Sequence, residues 1–486
     1  MILKHLIPVI GCFLLALSCG PNASRRTAQA CQGELETSAK NTTVQTVSGP
    51  VAGYIDDGVF IYKGIPYAQA QRFMPPTDPE PWKDVRSSRA YGPTCPQDKR
   101  AGWQDDNQAF TMHWDDGFPG EDCLRVNVWT EGINDGAKRP VMVWLHGGGF
   151  RAGSGQELIS YDGTNLARDH GVVVVTLNHR LNVLGFLDLS AYGAKYAKSG
   201  NVGMLDIVKA LEWVRDNIGN FGGDPSNVTI FGQSGGGGKV CTLMAMPSAQ
   251  GLFGKAIVES GSITELAVPK VSRKVGAYTV EALGVAPSKV DALADIPYEK
   301  LLEAYNAALQ RVTNEAREDG TLPENFLSMI LYAQVPVVDG EVIPFQPATP
   351  ESLSLSKDIP IIIGSTYHEF TRNMEDPIFK PLADQQAEVR TQAGYAPVYK
   401  YLFRWETPVL DGALGSPHCI EIPFVFDNVL LHRTYTGGGV DAVELGHRVS
   451  RLWTSFAKTG KPEADGMPAW ETWPKTLTID ILSSIN

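Results

Sequence analysis

The chain has 486 residues, of which 43% are hydrophobic and 20% charged, and its formal net charge is −12. This composition predicts a globular protein with a large core and excludes a disordered or fibrous chain. The negative charge, together with the lack of a basic cluster interleaved with aromatic residues, argues against nucleic acid as a partner. Length alone permits two or three average domains or one long α/β domain, so the motifs must decide.

The N-terminus has the pattern of an export signal. Lys4 precedes an apolar stretch over Leu6–Leu17, which is too short to make a good membrane span. Small residues then occupy a signal-peptidase position, and Cys19 comes directly after Ser18, as in a bacterial lipobox.

We therefore predict a signal peptide over residues 1–18, lipid attachment at the Cys19 thiol, a flexible polar tether over 19–41 and a single domain over 42–486. The protein would then be exported and tethered to a membrane, in the periplasm or at the outer membrane. The alternative is a soluble secreted protein that is cut at the same place or after Ala30.

Two of the remaining cysteines, Cys95 and Cys123, bracket an aromatic-rich loop. An oxidising compartment would let them pair and hold the loop, although the connectivity does not follow from the spacing. Cys31, Cys241 and Cys419 have no spacing typical of metal ligands and are interpreted as free thiols.

In chain order, the first predicted elements of the body are short strands. Alternating runs between Val44 and Tyr67 predict an N-terminal antiparallel hairpin or meander. Continuous apolar runs then predict a parallel core covered by helices on both faces. Its strands are placed at Val126–Trp129, Val141–Leu145, Val172–Leu177, Val228–Phe231, Lys255–Val258 and Ile359–Ile363.

Amphipathic helices alternate with these strands, most clearly over Val202–Ile218, where apolar residues recur at three- and four-residue spacing. This alternation predicts a doubly wound α/β sheet. Residues 270–326 are helical and polar, with breaks at Gly284, Pro287 and Pro297, and they predict a cap-like insertion over one end of the sheet.

Ser234 lies in the run Gly232-Gln233-Ser234-Gly235-Gly236, between a predicted strand and a helical run. A serine on a sharp strand-to-helix turn needs glycine neighbours, because larger residues two positions away would collide with the strand or the helix. Such a turn puts the hydroxyl at the positive end of the helix. The pattern alone also fits a mobile glycine loop, but the flanking strand and helix favour a nucleophile.

A second glycine-rich run, His146-Gly147-Gly148-Gly149-Phe150, directly follows the strand that ends at Leu145. Its glycines would let backbone N–H groups approach a substrate and stabilise the charge of an acyl-transfer intermediate. A phosphate-binding loop is the alternative, but neither Gly-Lys-Ser/Thr nor a dinucleotide fingerprint follows. With the N–H of Gly235, three donors would be available.

These motifs and several others resemble the type B carboxylesterase family, which also contains lipases, cholinesterases and the catalytically inert neuroligins. The resemblance extends from about Gly49 to Trp473. In the family's order the chain carries Tyr62–Ala68, Arg72-Phe73, Gly120–Leu124, His146–Phe150, Asn201–Asp206, Phe221–Pro225 and the Ser234 turn.

The resemblance implies an α/β-hydrolase fold, with a mostly parallel sheet flanked by helices, and a catalytic triad in the chain order Ser, Glu, His. Ser234 would be the nucleophile, Glu369 the acid that follows a strand, and His418 the general base in a loop. The same matching implies oxyanion donors at Gly148, Gly149 and Gly235, and a disulfide between Cys95 and Cys123.

The choice of histidine can also be examined by elimination, because only four histidines follow the nucleophile. His447 lies in a helical run, His432 follows an apolar stretch without a glycine-rich loop, and His368 adjoins the proposed acid. These positions favour His418 as the base.

The acid is less well determined by the residues alone, since a lone glutamate in a loop is usually solvated. Asp339 and Glu375 are alternatives to Glu369, which is favoured by its place after a strand. Its task would be to fix the imidazole tautomer and stabilise the imidazolium.

The chain departs from the family pattern beside the nucleophile, where Gln233 and Gly235 stand in place of the frequent glutamate and alanine. The missing negative charge argues against a cationic choline ester, and Trp114 alone is more often a loop-packing residue than a choline-binding aromatic. The residues after Pro474 do not follow the expected pattern either.

The predicted function is hydrolysis of small-molecule carboxylic esters through an acyl-serine intermediate, with no metal or organic cofactor. A lipase or an amidase of the same fold is the alternative. A neuroligin-like binding protein is a further one, against which the retained serine and histidine argue. Neither the natural ester nor the oligomeric state follows from the sequence.

Overall fold

An eleven-stranded mixed sheet forms the centre of the molecule in the described part of the computed structural model, which covers residues 33–98, 106–115, 117–323, 332–373 and 378–486. The predicted signal peptide, Cys19, the rival acid Glu375 and the end of the predicted cap lie outside these residues. Within the described ranges, every helix is too short or too polar to cross a bilayer.

Fourteen strands are present among the described residues. They are β1 Thr43–Gln45, β2 Pro50–Ala52, β3 Tyr54–Asp56, β4 Val59–Pro66, β5 Arg86–Ser87, β6 Arg125–Thr130, β7 Arg139–Leu145, β8 Val173–Leu177, β9 Gly223–Gln233, β10 Lys255–Glu259, β11 Ile361–Thr366, β12 Val398–Phe403, β13 Thr476–Ile479 and β14 Ser484–Ile485.

The α-helices of the described residues lie mostly between these strands. They are α1 Ala39–Thr42, α2 Asp106–Met112, α3 Thr164–His170, α4 Asn182–Phe186, α5 Val202–Asn217, α6 Gly235–Met244, α7 Pro269–Ala282, α8 Tyr298–Glu318, α9 Pro350–Leu355, α10 Lys380–Gln392, α11 Ile422–Val425, α12 Arg433–Thr436 and α13 Val440–Thr459. Short 3₁₀ helices occupy Ile159–Tyr161, Ser190–Tyr192, Ala194–Tyr196, Ser199–Asn201, Ile218–Phe221, Pro247–Ala249, Pro287–Asp295 and Val409–Gly412.

The large sheet has the strand order β14-β13-β12-β11-β10-β9-β7-β8-β6-β4-β3, and β1, β2 and β5 form a small separate sheet. The strands from β13 to β8 in this order pair parallel with one another, whereas β14 on one side and β6, β4 and β3 on the other each pair antiparallel with the preceding strand toward the core. The carboxyl ends of the parallel strands therefore meet at one edge, where ligands bind in open α/β sheets.

The parallel strands are buried on both faces, as their continuous apolar sequences predict. In β7, Val141 and Val143 contribute to one hydrophobic cluster while Met142 and Trp144 contribute to the other. Because successive side chains point to opposite faces, each strand joins both layers of the core.

Most predicted elements are present, with three differences. The strand at Arg125–Thr130 pairs antiparallel with β8 and β4, so the parallel core begins one strand later than predicted. Glu36 exchanges two backbone hydrogen bonds with Ile55, which places the end of the predicted tether in the folded body. The residues after Pro474 form β13 and β14 and extend the sheet.

The predicted cap contains two helices, α7 and α8, which pack against each other. A 3₁₀ segment, Pro287–Asp295, joins them at the predicted breaks. The cap as a unit over residues 270–326 stays a prediction, because residues 324–331 lie outside the described part of the chain.

The predicted disulfide is not formed in the structure, where Cys95 and Cys123 are both buried free thiols. The backbone N–H of Leu181 donates to Sγ of Cys95 at 3.2 Å. A hydrogen bond with Cys95 and burial both raise the pKa of the Cys123 thiol. The two sulfur atoms are therefore neighbours in the reduced state.

A buried ion pair ties the segment after β8 to helix α5. Nε of Arg180 donates to Oδ2 of Asp206 at 2.8 Å, and Nη2 donates to Oδ1 at 2.6 Å. The two side chains are only 5% and 0% exposed. Removing one member of such a pair leaves the other charge buried without compensation.

We expect Asp206→Asn to lower the free energy of unfolding by about 3–5 kcal/mol, because it leaves the Arg180 charge unneutralised. The control is Asp216→Asn on the same helix. Its pair with Arg215 has the same two-bond geometry, but the side chains are 51% and 42% exposed, so the loss should stay below about 1 kcal/mol. Urea unfolding measures both, and equal losses would contradict the prediction.

Candidate active site

Ser234 occupies the turn between β9 and α6, at the carboxyl edge of the sheet. Its backbone has φ 57° and ψ −125°, a left-handed conformation that costs energy for a residue with a side chain. Its N–H donates to the carbonyl of Glu259 at 2.8 Å, and its carbonyl accepts from the N–H of Gly238 at 3.0 Å. The predicted strand–turn–helix geometry is therefore present, with the serine half-buried.

Glycine is required around this turn because backbone packs directly on backbone. A Cβ on Gly236 would lie 1.9 Å from the carbonyl oxygen of Leu145, and one on Gly232 would lie 2.6 Å from the same atom. A Cβ on Gly261 would lie 2.2 Å from the carbonyl oxygen of Ser234. The end of β7, the turn and the segment after β10 thus hold the serine from three sides.

The glycine-rich loop after β7 faces the serine. Gly148 and Gly149 have φ of 79° and 65°, and a Cβ on Gly235 would lie 2.5 Å from the backbone nitrogen of Gly149. A Cβ on Gly147 would lie 3.6 Å from Cβ of Ser234. Among the described residues, no group accepts a hydrogen bond from the N–H of Gly148, Gly149 or Gly235. Three unused N–H donors therefore lie in the loop that faces Ser234 and in the residue after the serine.

His418 and Glu369 form a buried pair. Nδ1 of His418 lies 2.5 Å from Oε2 of Glu369, whose Oε1 accepts from the N–H of Thr366 at 3.0 Å. The backbone N–H of His418 also donates to the carbonyl of Glu369 at 2.6 Å. Because Nδ1 faces the carboxylate, Nε2 is the nitrogen left for other chemistry.

Aromatic rings and an amide fix the imidazole of His418. The Phe379 ring stacks on it at 5.7 Å and 15°, and the Phe370 ring lies 4.6 Å away. Nε2 of Gln233, the residue before Ser234, lies 3.3 Å from both ring nitrogens. Within the described residues, no hydrogen bond joins Ser234 Oγ to this ring. The side-chain amide of Gln233 lies against the imidazole instead.

Two further buried carboxyl groups lie beneath this pair. Oε1 of Glu259 accepts from Nε1 of Trp453 at 2.6 Å, and Oε1 of Glu421 accepts from Oγ of Ser260 at 3.3 Å. Burial raises the pKa of Glu259 to about 8. Burial and the neighbouring Glu259 and Glu369 raise the pKa of Glu421 well above its ordinary value. Both carboxyl groups therefore favour the protonated form more than an exposed glutamate does.

One cavity is lined by residues of this site, and a second one is lined by the segment that follows Gly261. The first, of about 370 Å³, is lined by His418, Glu369, Phe370 and residues of α2. The second, of about 280 Å³, begins at Ile263, two residues after Gly261, and is lined largely by apolar side chains of the cap side. Both have room for parts of a small ligand.

The other histidines that follow Ser234 have structural partners. His368 accepts a hydrogen bond from the N–H of Ser416, His432 contacts Ser160 and the carbonyl of Thr111, and His447 pairs with Asp427. The rival acid Asp339 accepts backbone N–H groups of its own loop, Glu341–Ile343. These groups are thus engaged away from Ser234.

Three side chains at the site did not follow from the sequence patterns. Gln233 touches His418, the thiol of Cys419 donates to Oε1 of Gln233 at 3.1 Å, and Lys239 lies fully buried behind the glycine-rich loop. For Lys239, the sequence did offer a sign of a special role, because a lysine is unusual in the mostly glycine and apolar run after the serine. Among the described residues, no group of three or more His, Cys, Asp or Glu is placed to hold a metal ion.

The model of the carboxylesterase family matches residues 40–391 and 381–482. The match reaches beyond Pro474 and corrects the expectation that the chain diverges there. The para-nitrobenzyl esterase of Bacillus subtilis is 35% identical over 90% of this chain and 94% of that protein. The phenmedipham hydrolase of Pseudarthrobacter oxydans is 32% identical over 88% and 92%.

Solved structures show the same relationship. An esterase from Clostridium hathewayi, described as hydrolysing aliphatic aromatic polyesters, superposes with a TM-score of 0.79 at 32% identity, covering 91% of this chain and 95% of that one. A carboxylesterase from Geobacillus stearothermophilus gives 0.75 at 32% identity, covering 92% and 97%. The chain therefore belongs to the carboxylesterase family and is a serine carboxylic ester hydrolase of the α/β-hydrolase fold.

Proposed function

We propose that Ser234, His418 and Glu369 are the catalytic triad and that the N–H groups of Gly148, Gly149 and Gly235 form the oxyanion hole. The observation that carries this assignment is the meeting of the serine turn, the unused N–H donors and the His–Glu pair at the carboxyl edge of one sheet. These are the groups that ester hydrolysis by a serine requires.

In the first half-reaction, Nε2 of His418 takes the proton of Ser234 Oγ, which attacks the ester carbonyl. The tetrahedral intermediate accepts hydrogen bonds from the three glycine N–H groups, while Glu369 stabilises the imidazolium. His418 then returns the proton to the leaving alcohol. In the second half-reaction His418 takes a proton from a water molecule, which attacks the acyl-serine. His418 then returns this proton to Ser234 Oγ as the acyl–Oγ bond breaks and the acid leaves.

Gln233 supports a resting state that substrate rearranges. Its amide nitrogen lies 3.3 Å from both ring nitrogens of His418, and the hydrogen bond from Ser234 to Nε2 would form in the complex with substrate. Catalytic hydrogen bonds are often loose in the free enzyme and tighten in the complex.

The substrates are neutral esters with an apolar acyl or alcohol part. Gln233 is uncharged and buried, so this position gives a cationic alcohol no counter-charge. The cavity beside the serine turn is lined by Ile263, Leu266, Val271 and Leu382, among others. The name of one relative, para-nitrobenzyl esterase, refers to esters with an aromatic alcohol part, and it supports such esters as first substrates here.

The test is turnover of p-nitrophenyl esters of graded acyl length by the wild type and Ser234→Ala. We expect the variant to lose at least about 10⁴-fold in kcat and to resist labelling by a fluorophosphonate. Ser262→Ala, at a buried serine close by, should keep most of the activity.

Unchanged turnover in Ser234→Ala would contradict the assignment. A rate that rises only on aggregated long-chain esters would identify a lipase, and faster cleavage of matched anilides would identify an amidase.

Two isosteric variants separate Glu369 from its neighbour Glu259. Glu369→Gln should lower kcat by about 10³- to 10⁴-fold, because the amide no longer holds the imidazole in the tautomer with its proton on Nδ1. Glu259→Gln, whose carboxyl does not reach His418, should lower it less than about tenfold. Equal losses would contradict the assignment of the acid.

The same Glu259→Gln variant should alter how stability depends on pH. The folded pKa of about 8 exceeds the ordinary value of 4.5, so the unfolded chain releases its proton first and wild-type stability falls as pH rises from about 4.5 to 8. Without this titration, the variant should lose less of its Tm between pH 5 and pH 9. An identical pH profile of Tm would contradict a protonated Glu259.

We also propose that Cys95 and Cys123 form a disulfide after export. Both thiols are buried and adjacent, and an oxidising compartment favours the bond. Peptide mass spectrometry of protein purified without reductant should find the linked pair, and Cys95→Ser should cost about 2–5 kcal/mol of stability. Cys241→Ser is the control, and free thiols at both positions would contradict the proposal.

The export proposal rests on the first nineteen residues alone. We propose cleavage before Cys19 and lipid on its thiol, so that the enzyme is membrane-tethered. Expressed in a diderm bacterium, the full chain should fractionate with membranes and incorporate labelled palmitate, and Cys19→Ala should abolish both. Cys12→Ala is the control, and a soluble, unlabelled wild type would identify a secreted protein.

A further inference from the structure

Lys239 is fully buried in α6, five residues after Ser234. Most other residues of this helix are glycine or apolar, so a charged side chain is out of pattern there. Burying a lysine is costly unless its ammonium finds partners. The partners it has are therefore informative about why it is there.

The ammonium group donates to two carbonyl oxygens of the glycine-rich loop. Nζ of Lys239 lies 2.8 Å from the carbonyl oxygen of His146 and 3.4 Å from that of Gly147. Nδ1 of His146 lies 3.0 Å from the same Gly147 oxygen. Two donors thus converge on one carbonyl from behind the loop.

That carbonyl belongs to the same peptide unit as the N–H of Gly148. A hydrogen bond to the oxygen of a peptide polarises its N–H and strengthens it as a donor, since hydrogen bonds in a chain reinforce one another. The N–H of Gly148 is one of the three unused donors around Ser234. Lys239 is therefore coupled through one peptide group to the place where negative charge develops.

Two buried histidines, His146 and His179, lie near Lys239. The rings of His146 and His179 stack at 5.1 Å and 22°. Burial, and then the charge of Lys239, lower the pKa of both histidines well below the ordinary value, so both are neutral. Burial also lowers the pKa of Lys239 to about 7, while the buried carboxyl of Glu157 favours its charged form.

We propose that Lys239 is a positioning residue that braces and polarises the Gly147–Gly148 peptide, and so stabilises the oxyanion of the transition state more than the bound ester. The proposal rests on the assignment of Gly148 as an oxyanion donor. It predicts an effect on the chemical step with little effect on substrate binding.

The test compares Lys239→Met, which removes charge and donors, with Lys239→Gln, which restores a neutral donor. Concentrations are set by endpoint titration with a fluorophosphonate, so that only folded sites are counted. For a p-nitrophenyl ester, Lys239→Met should lower kcat by about 10- to 100-fold with KM changed less than about threefold, a smaller loss than deletion of a donor itself. Lys239→Gln should fall between Lys239→Met and the wild type.

An aryl trifluoromethyl ketone provides a second readout, because its adduct with the serine carries an oxyanion. Its Ki should rise in parallel with the loss of kcat in both variants. Cys241→Ala, buried on the same helix and contacting Gln386 instead of the loop, should lower Tm without changing kcat per site or Ki.

Wild-type kcat per titrated site and wild-type Ki in Lys239→Gln would overturn the proposal and leave Lys239 a structural residue, even if Lys239→Met does not fold. Failure of the underlying assignment would look different, because Ser234→Ala would then keep its turnover.

Discussion

The structure depends on direct contact between backbone segments at the carboxyl edge of the sheet. Leu145 ends β7 with its carbonyl oxygen so close to Gly232 and Gly236 that neither position has room for a Cβ. This contact fixes where β9 ends, where α6 begins and how the loop after β7 crosses the turn. Ser234 has a positive φ at this turn, and the packed backbone segments around it hold that conformation.

Charge is distributed unevenly around that contact. Burial raises the pKa of Glu259 to about 8 and that of Glu421 well above its ordinary value, whereas Glu369 is the carboxyl group that contacts the imidazole of His418. On the other side of the serine, the ammonium of Lys239 lies behind the carbonyls of the glycine-rich loop. In the proposed mechanism, Glu369 lies beside the imidazolium that forms, and Lys239 lies behind the peptide groups that would bind the oxyanion.

Much of this arrangement could be predicted from the sequence, because it depends on residues that are close together in the chain. The parallel strands are continuous apolar runs, helix α5 has its three- and four-residue spacing, and the two glycine motifs mark sharp turns. Other features depend on residues far apart in the chain. No local pattern shows that β6 runs antiparallel between β8 and β4.

The side-chain contacts at the site could not be predicted from local sequence patterns either. The amide of Gln233 meets His418 across 185 positions, and Lys239 meets His146 across 93. The carboxyl groups of Glu259 and Glu421 lie near Glu369 only after the sheet has formed. His418 and Glu369 could be proposed from the family resemblance and the chain order. The charged and polar groups around them are set by tertiary packing.

The oxyanion donors proposed here are peptide groups, which has a consequence for how such an enzyme evolves. A substitution other than proline leaves the peptide N–H in place and can only crowd or tilt it, so glycine at these positions keeps the proposed donors accessible. The apolar lining at Ile263, Val271 and Leu382 carries no such constraint. The substrate specificity of such an enzyme can therefore change through this lining while the proposed oxyanion donors stay in place.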